Sequence, residues 1–259
     1  MKPLAGAHVT QRDPKRCPPD GPVICSAGVD GILVRFAETL SEAANRAALA
    51  FRAAIEAAGW AAVEETSSSL VSVYLRFDPL HLDHVTLRGQ IRGLLDSRDW
   101  YAANLPDGRR LWRIPAVFGT DLAPQLAQAA TQAGLSEDTA IASLTSTRLR
   151  VQTIGFAPGQ PYLGTLPKAW DIPRQSQLTA RVPEGAIAVA IRQLVLFSVP
   201  TPTGWQHVGQ TAMRLFQPDA DEPFLLRAGD EVQFVTTEPD TLDRLRRDPM
   251  GGATVAVIR

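Results

Sequence analysis

Apolar and polar positions alternate along this chain with two different spacings. Up to about Thr147 the long stripes have helical spacing. Beyond it the apolar runs are short and bounded by Gly and Pro. Gly28 to Phe36 (GVDGILVRF) predicts a first strand. Ser41 to Ala58 predicts a helix with Ser41 as N-cap, Ala44, Ala47, Ala48, Phe51, Ile55 and Ala58 on one face, and Gly59 as its stop. Ala61 to Glu65 predicts a second strand and Ser67 to Ser69 a turn. Leu70 to Phe77 predicts a third strand, with Val71, Val73, Leu75 and Phe77 on its buried face. A second helix starts near Asp83 and buries Leu87, Ile91, Leu94 and Leu95; a strand over Leu111 to Phe118 follows. The order β-α-β-β-α-β is the ferredoxin-like split motif.

Leu122 to Ala133 predicts a third helix, capped by Thr120 or Asp121, and Ser136 starts a fourth. The short strands after Thr147 cover Leu149 to Phe156, Ala186 to Ile191, Val195 to Val199, Met213 to Phe216 and Glu231 to Val235. Strands of this length with turn signals between them predict a sandwich or barrel. Asp240 to Arg247 reads as a last short helix, and Thr254 to Ile258 as a closing strand or a fraying tail. The predicted organisation is α+β. Residues 1–27 are a disordered or loosely attached tail, 28–108 a ferredoxin-like domain and 109–259 a β-barrel domain.

Composition narrows the function classes. With 259 residues the chain is long enough for one large or two small domains, and 45% hydrophobic content lets it bury a core. A net charge of −1 gives no broad basic footprint for nucleic acid, and no apolar run approaches the ~20 residues of a membrane span. The first 22 residues carry Lys2, Arg12, Lys15, Arg16 and five prolines without an apolar core, unlike a secretory signal. Cys17 and Cys25 lack CxxC spacing and read as free thiols of a reducing compartment, which predicts a cytoplasmic location.

Candidate chemistry concentrates between Gly155 and Gly209, where Gly and Pro shape loops around aromatic and basic side chains. Phe156, Pro158, Gly159 and Tyr162 form a turn that presents two aromatic rings. Arg174 and Arg181 each lie beside a proline-containing motif and have the planar fork that suits a carboxylate or phosphate; as surface ion-pair partners they would matter little. Trp205 either walls a pocket or closes the barrel, the Gln206 amide can read a carbonyl, and His207 is the histidine nearest to them. His81 and His84 bracket Asp83 at a helix start, which needs no ligand to explain it. No P-loop, HExxH or zinc-spaced Cys/His set occurs.

The motifs Gly155-Phe156, Pro158-Gly159, Tyr162-Leu163, Pro173-Arg174, Arg181-Val182-Pro183-Glu184-Gly185, Gly204-Trp205-Gln206, Gly209 and Leu226-Arg227-Ala228-Gly229-Asp230 occur in an order that resembles the allophanate hydrolase subunit 1 (KipI/PxpB) family, over roughly residues 28–235. The resemblance implies a cyclophilin-like barrel in the C-terminal half. It also implies a non-autonomous subunit of an ATP-dependent 5-oxoprolinase that opens 5-oxoproline to glutamate. The partners would be a KipA/PxpC-like larger subunit and a LamB/YcsF-type (PxpA-like) subunit, with ATP bound together with the partner and no metal in this chain. The implied site assigns Arg174, Arg181 and Gln206 to catalysis, and Phe156, Pro158, Gly159, Tyr162, Gln193, Trp205 and His207 to substrate binding. The resemblance leaves three other functions open: a KipI-type inhibitor of a sensor histidine kinase; a carboxyltransferase half-site of a urea carboxylase/allophanate hydrolase-type system, which would use biotin; and a degenerate paralogue that binds something related but catalyses nothing. Departures from the family pattern at Gln160, Ala180, Arg192 and Thr203 fall in the implied site rather than the scaffold.

Overall fold

The computed structural model describes residues 21–258, so Cys17 and most of the predicted tail lie outside the described residues. Two sheets share no strand. The first is antiparallel, in the order β1 (Val23–Ser26), β2 (Gly31–Arg35), β4 (Ser72–Phe77), β3 (Val63–Ser69). Helices α1 (Glu42–Ala58) and α2 (His84–Leu95) supply its apolar cover. Ser41 Oγ accepts from Ala44 N, Gly59 ends α1 in the left-handed region, and Asp83 caps α2 by accepting from Val85 N and Thr86 N. Val73, Leu75 and Phe77 of β4 are buried beneath α1 and α2 with Phe51, Leu87 and Ile91. His84 packs edge-on against Phe77 and meets Val29 O at 2.8 Å, a structural role at the helix start.

This sheet departs from the predicted β-α-β-β-α-β order. The strand after α2, β5 (Arg110–Phe118), leaves for the second sheet, and β1, inside the stretch expected to be tail, takes the edge beside β2. An apolar strand pattern carries no information about which sheet it joins, and a four-residue strand after a Pro-rich run gives little signal of its own. The turn expected at Ser67 to Ser69 is also strand: β3 runs to Ser69, which pairs with Ser72, and the reversal falls on Leu70 and Val71. β3 is an edge strand with much of its length exposed, so serines are tolerated along it.

The second sheet closes on itself. In ring order its seven strands are β5, β13 (Glu231–Thr236), β6 (Leu149–Ile154), β7 (Pro161–Gly164), β10 (Gln193–Leu196), β9 (Ala186–Ala190) and β12 (Gln206–Thr211), which returns to β5. β14 (Thr254–Val257) pairs with the first half of β5, so the end of the described chain is a strand. Ile114, Leu149, Val151, Leu163, Ile187, Leu194, Val208 and Phe234 come from all seven strands and belong to one contact cluster, which only the lumen can bring together. α3 (Leu126–Ala133) and α4 (Glu137–Ser146) pack into the same cluster; α5 is Pro239–Leu245. α3 starts four residues later than predicted and is capped at Gln125 rather than Thr120 or Asp121. Pro124 disfavours helical geometry at Ala123, and Thr120 itself has φ 62°. The stretch Met213 to Phe216 is not a strand and contributes one bridge, Phe216 to Phe224.

The two units meet at a polar seam. Asn45 Nδ2 donates to Leu70 O at 2.6 Å and to Gln152 O at 3.1 Å, Arg150 pairs with Glu42 at 2.8 Å, and Thr153 Oγ1 donates to Ser68 O at 3.2 Å. Asp230 anchors the barrel beside that seam. Gly229, at φ 95°, turns the chain into β13, and the Asp230 carboxylate accepts from Arg110 Nη2 (2.6 Å), Arg227 N (3.0 Å) and Trp112 Nε1 (3.2 Å). The Leu226 to Asp230 motif is therefore scaffold at this point of the fold.

Candidate functional site

Strand alternation decides which predicted residues share a surface. On the outer face of the ring, register places His207, Ala188, Val195, Tyr162 and Thr153 in one row across β12, β9, β10, β7 and β6. Gln193 lies on the same face, paired with Gly164 of β7. Its Nε2 donates to Gln152 Oε1 at 2.7 Å, and a Cβ on Gly164 would come within 2.5 Å of that oxygen, so the glycine makes room for the amide pair. Trp205, 6% exposed, covers this face edge-on to Tyr162 with ring centroids 6.2 Å apart. The Arg174 guanidinium carbon lies 5.2 Å from the Trp205 ring centroid.

Gln206 does not share that surface. It pairs with inward-facing Val189, is fully buried, and its Nε2 donates to Gln132 Oε1 of α3 at 2.6 Å. Arg181 lies in β8 (Thr179–Val182) next to Val182, whose side chain packs into the apolar layer on the outer face; alternation puts Arg181 on the solvent side. Neither Arg174 nor Arg181 has a carboxylate partner among the described residues. Phe156 (φ 74°, 75% exposed) and exposed Pro158 sit in the β6–β7 turn, where Gly159 backs onto Leu215 O so closely that a Cβ would approach to 2.9 Å. The structure thus gathers Tyr162, Gln193, Trp205, His207 and Arg174 on one face. It sets Gln206 inside, Arg181 outside, and the Phe156 turn at the end of a hairpin.

A separate two-stranded sheet lies over this face: β8 pairs with β11 (Thr201–Thr203) and with no strand of the ring. Two glutamines that the sequence reading missed tie it down. Gln175 N donates to Gly204 O (2.7 Å) and its Nε2 to Trp205 O (2.9 Å). Gln125 Nε2 donates to Gln175 Oε1 (3.0 Å) and Thr179 Oγ1 (3.1 Å), while its Oε1 accepts from His207 N (2.7 Å). These residues are 50 positions apart in sequence, and no local pattern pairs them.

His207 is 5% exposed and its Nε2 has no hydrogen-bond partner. Burial pushes its imidazole below the ordinary value of 6.5, and the Gly209 backbone and the Gln210 side chain partly offset that. Gln210, 2% exposed, donates to Glu184 O and Thr211 O, but its Oε1 is unpartnered. Leaving a buried polar atom without a partner costs about 1–3 kcal/mol. A distinct cleft of ≈ 630 Å³ lies between α1, β3 and the loop 224–230; Arg52, Ser68, Arg109 and Arg227 are among its lining residues, and none of the predicted site residues is. Among the described residues no group of three or more His, Cys, Asp or Glu side chains is placed to hold a metal ion, and no helix is long and apolar enough to cross a membrane. Cys25 is a free thiol in β1.

Residues 22–226 match the family model for the carboxyltransferase domain, subdomains C and D. A relative from Bacillus subtilis (strain 168), named as the B component of 5-oxoprolinase, is 31% identical over 219 residues, covering 80% of this chain and 90% of that protein. A relative of the same name from Escherichia coli O157:H7 is 41% identical over 126 residues, covering 49% of this chain; the match spans 58% of that protein's length. Among solved structures, TTHA0988 is 32% identical with a TM-score of 0.67, covering 80% of this chain and 40% of that one. The Kluyveromyces lactis urea carboxylase shares the fold, with a TM-score of 0.65 at 17% identity over 92% of this chain and 24% of that one.

Proposed function

The chain belongs to the family of carboxyltransferase domains, subdomains C and D, and from that premise we propose that it serves as the B component of an ATP-dependent 5-oxoprolinase-type complex. The observation that carries this reading is the near full-length relationship to the B. subtilis protein of that name. A lactam carbonyl is a poor electrophile; phosphorylating its oxygen with ATP, with release of ADP, activates the carbon for addition of water, the C–N bond then breaks to free the amine, and hydrolysis of the resulting acyl phosphate gives glutamate and inorganic phosphate. Residues of this chain would bind and orient the lactam, while nucleotide and nucleophile come with the larger KipA/PxpC-like subunit and a LamB/YcsF-type subunit. Arg174 supports the reading: it is stacked on Trp205 without a carboxylate partner, so its fork is free for the substrate carboxylate or the developing phosphate charge. Phe156, 75% exposed, is suited to contact a second chain.

The test is turnover of 5-oxoproline to glutamate with ATP, by this chain alone and after co-expression with its larger partner. The reading expects negligible activity alone and ATP-dependent glutamate from the complex. Full turnover by the single chain, or failure of the complex to form, would overturn it. The family description itself favours one second reading, carboxyl transfer from carboxybiotin to a urea-type amide. Biotin-dependent turnover in place of ATP-dependent lactam opening would select it. We further read the first sheet with its helices as a permuted ferredoxin-like unit, with β1 at the edge that the last strand fills in that motif, and the ring as a cyclophilin-like barrel.

A further inference from the structure

β9 presents a floor of methyl groups, Ala186, Ala188 and Ala190, on the outer face of the ring, and all three are fully buried. What buries them is not another strand of the ring but Val182, Phe197 and Trp205, with β8 and β11 above. Two polar atoms without partners enter this apolar layer from β12. Register sets His207 beside Ala188 and Gln210 beside Ala186, so both side chains belong to the same face as the alanines. His207 Nε2 and Gln210 Oε1 are each sequestered, and neither makes a hydrogen bond of good geometry, although the Gln210 side chain lies near enough to His207 to raise its pKa. The two-stranded sheet β8–β11 that covers them makes no ladder with the ring; besides the packing of Val182 and Trp205 it is tied down by the side-chain bonds of Gln125 and Gln175, which are fewer and more easily exchanged with water than a strand ladder.

We propose that β8–β11 is a lid, and that its opening exposes a recess on the outer face of β9 that takes a small neutral cyclic amide, with its ring on the alanines, its carbonyl accepting from His207 Nε2 and its N–H donating to Gln210 Oε1. A cyclic amide is held cis, so its carbonyl and N–H point to the same side and fit a donor and an acceptor set side by side. A carboxylate at the same place would set oxygen against the Gln210 oxygen and is disfavoured there; Arg174, over the Trp205 ring, is the group for a negative charge. The choice of ligand class rests on the lactam reading given above, whereas the lid and the two open valences do not.

The experiment is amide hydrogen exchange on the full chain, with and without 2-pyrrolidinone, a lactam that lacks the carboxylate. The Gln175 N–H and those of residues 179–182 should exchange at least about 100-fold faster than those of β9 and β10, because they open locally rather than globally. Saturating 2-pyrrolidinone should shift the His207 ring resonances and change lid exchange. His207→Phe and Gln210→Met should each weaken that binding by about tenfold, the loss of one hydrogen bond. Lid amides protected as well as the barrel strands would overturn the lid. Unchanged binding in both variants, or no response of His207 to the lactam, would overturn the recess. The exchange comparison uses the unaltered chain, so a variant that fails to fold leaves the proposal open to refutation. The binding needs neither ATP nor partner, so a complex inactive on 5-oxoproline would overturn the functional reading alone.

Discussion

Asp230, at the entrance to β13, and His207, in β12, are polar residues of one barrel and almost equally hidden, 3% and 5% exposed. Their surroundings differ. Asp230 accepts from Arg110, Trp112 and the backbone of Arg227, so its charge is compensated where it lies. His207 carries a ring nitrogen with no partner, next to a glutamine oxygen in the same condition. Burial alone does not separate a scaffold residue from a binding one; satisfied donors and acceptors mark Asp230 as scaffold. Buried oxygens without partners also occur at Gln160 and at Gln206 inside the barrel, and what singles out the outer face under β8–β11 is that two such atoms, on His207 and Gln210, lie on the same face of β12.

Four substitutions test this contrast. The largest expected effect is at the scaffold end: Asp230→Ala leaves Arg110 largely buried without its partner and should cost about 3–5 kcal/mol in denaturant unfolding. A loss below about 1 kcal/mol would place the pair among surface ion pairs instead. Gln125→Ala removes the acceptor of the His207 amide and the donor to Gln175 Oε1 and should cost about 1–3 kcal/mol, with faster exchange in the lid and little change in the first sheet.

The third effect depends on pH. The His207 imidazole lies below 6.5 in the folded chain and near 6.5 when unfolded, so between those values the unfolded chain holds more protons. The contribution of His207 to stability is intact above about pH 6.5 and is lost as pH falls through the folded value. Melting temperature against pH should therefore slope less on the acid side in His207→Phe than in the parent; identical slopes would mean that the ring is not held neutral by burial. The smallest effect is expected at Arg181→Ala, on the solvent side of β8, within about 0.5 kcal/mol of the parent.

Local chemistry made part of this legible in the sequence. α1 could be read because its cap Ser41, its apolar stripe and its stop Gly59 all lie within one segment, and α4 likewise through Ser136. The family could be read because the motifs from Gly155-Phe156 to Gly204-Trp205-Gln206 follow in order, and the match over residues 22–226 agrees. Sheet membership was hidden, since β5 has the same alternation whether it completes the first sheet or closes the ring. β12 was missed as a strand because Gln206, His207, Gly209 and Gln210 look like a loop; only burial on both faces explains a polar sequence there. For the same reason Trp205, Gln206 and His207 read as one cluster, although alternation sends the middle residue to the other side of the sheet. The Gln125–Gln175 tie crosses from a helix cap to a loop and left no trace in either segment.

The ligand chemistry sits either on the outer face beneath β8–β11 or in the ≈ 630 Å³ cleft between the units. Steady-state kinetics of the assembled complex on 5-oxoproline with ATP decide it when Arg174→Ala is compared with Arg227→Ala, each beside its melting temperature. Arg227 lines the cleft and is paired with exposed Glu222 at 3.2 Å. With the site on the outer face, Arg174→Ala lowers kcat/KM by roughly 10- to 100-fold with melting nearly unchanged, the loss of a charge-assisted contact. Arg227→Ala should change it by less than about fivefold, the worth of an exposed ion pair. The reverse ranking would move the site into the cleft and contradict the account.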